Sequence, residues 1–257
     1  MSIEAFNLDG KTAIVTGAGR GLGKAIAIGL ASAGANVLLA SRNPEHLSGT
    51  AAEIEHSGGQ AIRTSVDISD PASCAALVSR AEDEFGKLDI LVCNAATNIQ
   101  GPAADMPPSA WSQVINTEMS GCFYLSQAAY KVMAKQRSGS IIMISANSST
   151  VGYADLVGVA TAKGGVDMMA RNLAIEWGQD GIRVNTINPG FTEHVPEDGA
   201  DVAAGDGGLE EDIRAATPLE RRGRVEEFAN PAIFLASDAA SYVTGHNLVV
   251  DGGYSVK

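Results

Sequence analysis

The chain has 257 residues, 45% hydrophobic and 19% charged, which is enough apolar material for one large core. A formal net charge of -12 makes nucleic acids and anionic membranes poor partners, because an acidic surface repels them. No apolar stretch approaches the roughly 18 residues that span a bilayer, and we find neither a signal-peptide layout nor a linker. We therefore expect a single cytoplasmic domain over residues 1–257.

The first elements are predicted to be a strand, a glycine-rich turn and a helix. An apolar run at 13–15 predicts a buried strand, and apolar residues between 22 and 33 recur at helical spacing. Between them lies TGAGRGLG, residues 16–23. Glycines let the backbone approach an anion, and a helix N-terminus presents N–H groups to it. This order favours a dinucleotide, although a glycine cluster can also be a simple tight turn. The predicted contacts are Gly17, Arg20, Gly21, Leu22 and Gly23.

Strands and helices then alternate along the chain. Strands are predicted at 36–40, 61–66, 88–93, 140–145, 183–188 and 248–250, with helices at 44–56, 69–85, 109–135, 156–177 and 225–237. This alternation predicts a doubly wound parallel α/β sheet of about seven strands with helices on both faces. Ligands of such sheets bind beyond the carboxyl ends of the strands.

The residues that follow the strands are therefore candidate cofactor contacts. Arg42 follows the second strand with no acid before it, and a basic side chain here accommodates a 2'-phosphate. Together with Arg20, it favours NADP(H) over NAD(H), although both arginines could be ordinary surface residues. Asp67 could accept a hydrogen bond from an adenine amino group or merely begin the Ser69 turn. The other candidates are Ser41, Ile68, Asn94, Ala95, Lys163, Pro189, Gly190 and Thr192.

Two further features bear on the site. Residues 193–212 are too polar to pack and predict a mobile lid at about 190–215. Cys74, Cys93 and Cys122 are odd in number and too far apart for a metal knuckle, and the four histidines show no zinc-ligand spacing. We expect buried free thiols and no metal site.

Together these motifs resemble the short-chain dehydrogenase/reductase family from about Phe6 to Tyr254. The resemblance implies a Rossmann-type fold, hydride transfer between a nicotinamide and a small carbonyl or alcohol substrate, and catalytic roles for Asn116 and Lys163. It also implies that the two long helices pair across subunits in a dimer or tetramer. The residues that carry it are 16–23, 93–96, Asn116, 182–190, 242–245 and 250–253.

The chain departs from the family at two catalytic positions. The family carries Tyr-x-x-x-Lys early in the helix after the fifth strand, and a Ser thirteen residues before the Tyr. Lys163 fits the Lys, which puts Val159 at the Tyr position and Ala146 at the Ser position. The side chains of Ala146 and Val159 can neither donate nor accept a proton. Because losing a general acid costs about 10² to 10⁴ in rate, ordinary activity is expected to be greatly reduced.

Three interpretations follow. The chain is an oxidoreductase disabled or repurposed by replacement of the Ser and Tyr, or a natural cofactor-binding member with non-redox or differently protonated chemistry that involves His194, or a dinucleotide-responsive binding subunit. We favour the first, because Lys163, Asn116, Asn94 and the glycine turn survive while only the two hydroxyl-bearing positions are truncated. Tyr153 lies six residues before Val159 and cannot form the same pair with Lys163. Ser145 should point to the opposite face of its strand from Ala146.

Overall fold

A computed structural model of the chain describes residues 3–97, 99–193 and 207–256. Its frame is one parallel sheet of seven strands: β1 (Thr12–Thr16), β2 (Asn36–Ser41), β3 (Ala61–Ser65), β4 (Ile90–Cys93), β5 (Gly139–Ile144), β6 (Ile182–Pro189) and β7 (Asn247–Val250). They are arranged in the order β3-β2-β1-β4-β5-β6-β7. The prediction of a doubly wound parallel sheet is confirmed.

Helices cover both faces of this sheet. They are α1 (Gly21–Ser32), α2 (Ser48–His56), α3 (Pro71–Phe85), α4 (Pro108–Val114), α5 (Gly121–Gln136), α6 (Val157–Trp177), α7 (Gly207–Ala216) and α8 (Ala229–Ala236). One apolar core joins the sheet to α3, α5 and α6, and a second joins it to α1, α2 and α8. Successive side chains of β1 alternate between the two, Ile14 in the first and Val15 in the second.

The strand order reverses beside β1, which pairs with β2 on one side and β4 on the other. In sheets of this topology, ligands bind at the carboxyl ends of the strands where the order reverses, which here are those of β1 and β4. Strands β1, β4 and β5 are buried along their whole length, as expected for a sheet covered on both faces. The carboxyl ends of β1 and β4 are therefore the expected place for a ligand.

The predicted helix at 109–135 is broken in the structure. It consists of α4, a π-helical turn at Ile115–Ser120 and α5. The predicted helices at 44–56 and 225–237 likewise begin with 3-10 turns, at Pro44–Leu47 and Val225–Phe228. Residues 194–206, half of the predicted lid, lie outside the described residues. None of the described helices has the length and apolar character that crossing a membrane requires.

Candidate active site

The glycine turn after β1 is held against the end of β4 by hydrogen bonds. Thr16 Oγ1 accepts from the backbone N–H groups of Asn94 and Ala95, at 3.0 and 3.1 Å. The Asn94 amide donates in return to the carbonyl oxygens of Thr16 and Gly17, at 2.9 and 3.2 Å. The structure thus brings Gly17, Asn94 and Ala95 together, where the strand order reverses.

The glycines of this turn are required for different structural reasons. Gly17 has a φ of +66°, and a Cβ there would lie 2.9 Å from Asn94 Nδ2. A Cβ at Gly23 would collide with the carbonyl oxygen of Gly17. Gly21 has a φ of +53°, but a Cβ there would meet no atom of the described chain within 4 Å. Gly17 and Gly23 allow close packing, whereas Gly21 borders open space.

Helix α1 begins beside this open space. Arg20 occupies its N-cap position, and among the described residues no side chain caps the first turn. The first-turn N–H groups, which belong to Gly21, Leu22 and Gly23, are therefore left for an anion. The exposed Arg20 lies at the same turn. The residues present fit the phosphate groups of a dinucleotide.

The ends of β2 and β3 lie to one side of the glycine turn. Ser65 Oγ donates to the Arg42 carbonyl at 3.1 Å and Ser41 Oγ to the Asn43 carbonyl at 2.6 Å, so the backbone around the exposed Arg42 side chain is fixed. The end of β2 therefore presents an exposed cation on a hydrogen-bonded backbone.

Asp67 forms the turn after β3. Its Oδ1 accepts from the backbone N–H of Ser69 at 2.9 Å and from Ser69 Oγ at 2.6 Å. These bonds, with a smaller contribution from Arg42, hold the pKa of Asp67 below its ordinary value. The Ser69 turn is therefore present, and the adenine contact of Asp67 stays a prediction. The next residue, Ile68, is buried.

Lys163 is buried beside β5 and forms an ion pair that was absent from the sequence prediction. Its Nζ donates to the Ile144 carbonyl at 2.9 Å and lies 3.2 Å from Glu118 Oε2. Only 6% of Lys163 and 1% of Glu118 is exposed. Glu118 Oε1 accepts from the backbone N–H of Thr97 at 3.2 Å, in the loop after β4. Glu118 is thus the acidic partner of the predicted catalytic lysine.

The structure does not bring Asn116 to this ion pair. Asn116 is exposed, whereas Glu118, two residues further in the π turn, is buried. Residues two apart on a helix project in nearly opposite directions, because each residue turns by about 100°. The structure therefore gives no geometric support to the predicted catalytic role of Asn116. A signal for Glu118 was present, since it lies on the apolar stripe formed by Val114, Cys122 and Leu125.

Ala146 and Val159 are both partly exposed. Ala146 has an extended backbone directly after β5 and accepts a hydrogen bond from the N–H of Ser149 at 3.1 Å. Val159 precedes Lys163 by one helical turn on the same face of α6. Ser145 is buried, and its hydroxyl donates to the Lys163 carbonyl at 3.3 Å, so it is committed to packing against α6.

Tyr153 belongs to an aromatic cluster with Phe191 and Tyr254. Its ring centroid lies 5.8 Å from each of the other two, and its hydroxyl accepts from Asn147 Nδ2 at 2.7 Å. Burial, followed by the contact with the Tyr254 hydroxyl, raises the pKa of Tyr153. The described contacts of Tyr153 are with this cluster and Asn147 and not with Lys163, so Tyr153 is a poor substitute for the missing Tyr.

The end of β6 lies at the same edge of the sheet. Pro189 is buried and the N–H of Gly190 donates to the Val250 carbonyl at 3.1 Å. A Cβ on Gly190 would lie 2.6 Å from that of Asp251, so this segment packs directly against the end of β7. Thr192 pairs with Gly223 in an isolated bridge. The predicted substitute acid His194 lies outside the described residues.

Comparisons with known proteins agree with this geometry. A family model described as enoyl-(acyl carrier protein) reductase matches residues 17–255. The chain is 39% identical to L-rhamnose 1-dehydrogenase (NAD(P)(+)) of Sphingomonas sp., over 97% of this chain and 98% of that protein.

Two solved structures have nearly the same fold. A short-chain type dehydrogenase/reductase from Mycobacterium marinum gives a TM-score of 0.92 at 33% identity, covering 99% of both chains. A gluconate 5-dehydrogenase from Burkholderia cenocepacia, in complex with NADP and tartrate, gives a TM-score of 0.92 at 32% identity, covering 99% of this chain and 98% of the other.

Proposed function

The chain belongs to the short-chain dehydrogenase/reductase family, and from that premise we propose that it is an NADP(H)-dependent oxidoreductase with a replaced proton-transfer pair. Its substrate is a small carbonyl compound or the corresponding alcohol. The observation that carries the proposal is a glycine turn with open space at Gly21 and a buried Lys163, both beside carboxyl ends of central strands, while Ala146 and Val159 stand at the Ser and Tyr positions.

The cofactor would be held by groups at these strand ends. The first turn of α1 would bind the phosphate groups, and Gly21 leaves them the necessary space. Bound nicotinamide supplies or accepts the hydride. The exposed cations Arg20 and Arg42 support a preference for the additional 2'-phosphate of NADP(H) over NAD(H). The structure of the similar gluconate 5-dehydrogenase contains bound NADP, which supports the same cofactor preference.

The replacements at Ala146 and Val159 remove proton-transfer groups and are not expected to prevent cofactor binding. Alanine and valine side chains can neither donate nor accept a hydrogen bond, so they cannot serve the oxygen of a substrate. Loss of a general acid costs about 10² to 10⁴ in rate, and loss of an oxyanion donor about 10² to 10³. Because such groups act as a unit, the two costs do not simply add.

The Glu118–Lys163 ion pair supports a repurposed site over a merely disabled one. Simple removal of two hydroxyls would leave the buried ammonium of Lys163 without a new partner, and burying an unpaired charge is costly. Here a buried carboxylate compensates that charge. Glu118 thus supplies a partner that lets the Lys163 ammonium remain in the site without the two hydroxyls.

Restoring both hydroxyls tests the proposal. We expect Ala146→Ser with Val159→Tyr to raise the rate of NADPH oxidation, followed by absorbance with a panel of ketones, by about 10² or more. The control pairs Ala146→Ser with Val157→Tyr, which adds a phenol out of line with Lys163, and should give no such gain. If the restored protein stays inert while the unmodified chain turns over a ketone, the proposal is wrong.

A second candidate is reduction of a carbon–carbon double bond conjugated to a carbonyl group. It is favoured by the loss of both hydroxyls, since the final proton of this reaction goes to carbon and not to an alkoxide. The enoyl reductase description of the matching family model also supports it. Enoyl thioesters in the same panel distinguish the two, because this candidate requires the unmodified chain to oxidise NADPH with them and not with ketones.

The assembly we propose is a homo-oligomer of one-domain subunits. One continuous sheet supports the single domain. Large apolar side chains are exposed on the helices that the family resemblance assigns to subunit contacts: Trp111, Phe123, Met168 and Ile175. Such exposure supports burial against a second copy of the chain.

A further inference from the structure

Glu118 is a buried acid for which the family resemblance provides no role. It is 1% exposed, and its Oε2 has no hydrogen-bond partner among the described residues, although it lies 3.2 Å from Lys163 Nζ. Its Oε1 is fixed by the backbone N–H of Thr97. A buried polar atom without a hydrogen bond is uncommon and calls for an explanation.

The backbone around Glu118 is also unusual. Residues 115–120 form a π-helical turn inside an otherwise α-helical segment. Such turns are uncommon and occur frequently at functional sites. Here the turn directs a carboxylate inward, towards α6 and the loop after β4, while its neighbour Asn116 remains exposed. The local geometry therefore serves the contact with Lys163.

Lys163 is oriented by this contact. An ammonium group has three N–H donors; one is used by the Ile144 carbonyl, and the charged nitrogen lies 3.2 Å from Glu118 Oε2. Val159 lies one turn before Lys163 on the same helix face, where the family has its proton donor. Burial disfavours a charged amine, whereas a nearby negative charge favours it. Glu118 supplies that charge.

We propose that Glu118 is a positioning residue that keeps Lys163 protonated, and that the Lys163 ammonium gives the proton that the absent phenol would give. This inference rests on the proposed function. In the step, one N–H bond of Lys163 breaks, the proton joins the anionic oxygen of the reduced substrate, and a neutral amine remains beside Glu118. Solvent then returns a proton to the amine, and oxidation of an alcohol runs the same transfer in reverse.

The groups that titrate around Glu118 are few in the described structure. Lys163 faces it from α6, and Cys122 follows it by one turn. Cys93 on β4 contacts Cys122, and this hydrogen bond together with burial raises the pKa of Cys93. The hydrogen bond from Cys93 lowers the pKa of Cys122, but neither thiol can carry a positive charge, so the cation opposite Glu118 is Lys163.

Carbon-13 NMR of the lysine Cε atoms reads the protonation of Lys163 directly, without turnover. The Lys163 signal is identified by its loss in Lys163→Met. We expect its titration midpoint to fall by about one pH unit or more in Glu118→Gln, a tenfold loss of proton affinity. Glutamine keeps an oxygen for the Thr97 N–H. The matched control Glu84→Gln removes a carboxylate from an exposed pair with Arg80 and should leave the signal unchanged.

An unchanged Lys163 midpoint in Glu118→Gln would overturn the inference. If that variant does not fold, Glu118→Asp withdraws the carboxylate by one methylene, and an unchanged midpoint there overturns it equally. Tryptophan fluorescence with NADPH keeps the two proposals apart. Failure of the unmodified chain to bind NADPH would defeat the proposed function, whereas binding with an Lys163 titration independent of Glu118 would defeat only the inference.

Discussion

Arg42 extends an exposed side chain from the end of β2, while its carbonyl accepts a hydrogen bond from Ser65. A cation whose backbone is already hydrogen-bonded is suited to bind the 2'-phosphate, because only its side chain has to be ordered when the ligand binds. We assign the choice between NADP(H) and NAD(H) chiefly to this residue.

Replacing Arg42 with Asp should reverse that choice. The substitution removes the attraction for a 2'-phosphate and supplies an acceptor for a 2'-hydroxyl. We expect the ratio of the NADPH and NADH dissociation constants to shift towards NADH by about tenfold or more, equivalent to 1.4 kcal/mol. Isothermal titration calorimetry gives both constants. Arg63→Asp, an equal change at an exposed arginine of β3, should not alter the ratio; an unaltered ratio in Arg42→Asp removes Arg42 from the role.

At the residue scale, spacing along the sequence predicts which side chains share a helix face, and the catalytic roles that follow from it stay predictions. Lys163, Ala146 and Val159 were located by counting along one strand, one loop and one helix, and the structure places Val159 and Lys163 on one helix face. It was not predicted from the sequence that Glu118 is buried while Asn116 is exposed, and the catalytic role of Asn116 stays a prediction. Which polar residue of a helix turns inward depends on the π turn, and that turn reflects packing against α6, which the sequence does not display.

Among the elements, the 3-10 turn that precedes α8 is stabilised by Glu227. Both oxygens of its carboxylate accept from Arg221, at 2.7 and 2.8 Å, and one also accepts from the N–H of Arg224 at 2.8 Å. The Arg221 guanidinium, followed by the Arg224 N–H, lowers the pKa of Glu227 to about 2. This carboxylate connects residues 221–224 to the turn at Val225–Phe228.

The lowered pKa of Glu227 predicts a pH-dependent contribution to stability. A group whose pKa is lower in the folded state stabilises the fold above its unfolded pKa of 4.5, and this stabilisation is lost as the pH falls towards 2. We therefore expect Glu227→Gln to be less stable than the unmodified chain at pH 6 and the difference to shrink between pH 4.5 and 2. Urea unfolding followed by circular dichroism measures it; a constant difference contradicts the assignment.

The strands were predicted accurately where the sequence has short apolar runs that alternate with helical segments. Buried strands such as β4 and β5 are short apolar runs, which few other structures accommodate. The break of the predicted helix at 109–135 could not be foreseen, since no Pro or Gly lies between Trp111 and Ser120. The π turn follows from tertiary contacts and not from helix propensity.

At the scale of the whole molecule, the strand order brings distant segments to one edge of the sheet. The glycine turn, Asn94 and Lys163 are far apart in the sequence, yet each follows or flanks the carboxyl end of a strand at the centre of the sheet. The alternation of strands and helices predicted this convergence.

The outer faces of the long helices predict how subunits associate. Ile175 is 81% exposed and Met168 is 53% exposed, and both lie on one face of α6. We expect Ile175→Asp to shift the molar mass measured by light scattering towards the monomer, because an interfacial carboxylate would be buried unpaired. Val256→Asp, equally exposed but outside these helices, is the control. An unchanged mass in Ile175→Asp rejects this interface.

The central claim is that the open side of the glycine turn holds the phosphates of NADP(H). Gly10 and Gly21 both have positive φ values and open space around a Cβ, but only Gly21 lies in the glycine turn after β1. Aspartate tolerates this backbone conformation at either position. Calorimetric titration with NADPH should show a dissociation constant raised by about tenfold or more in Gly21→Asp and unchanged in Gly10→Asp. Equal affinity in the unmodified chain and Gly21→Asp, or no binding to the unmodified chain, would contradict the claim.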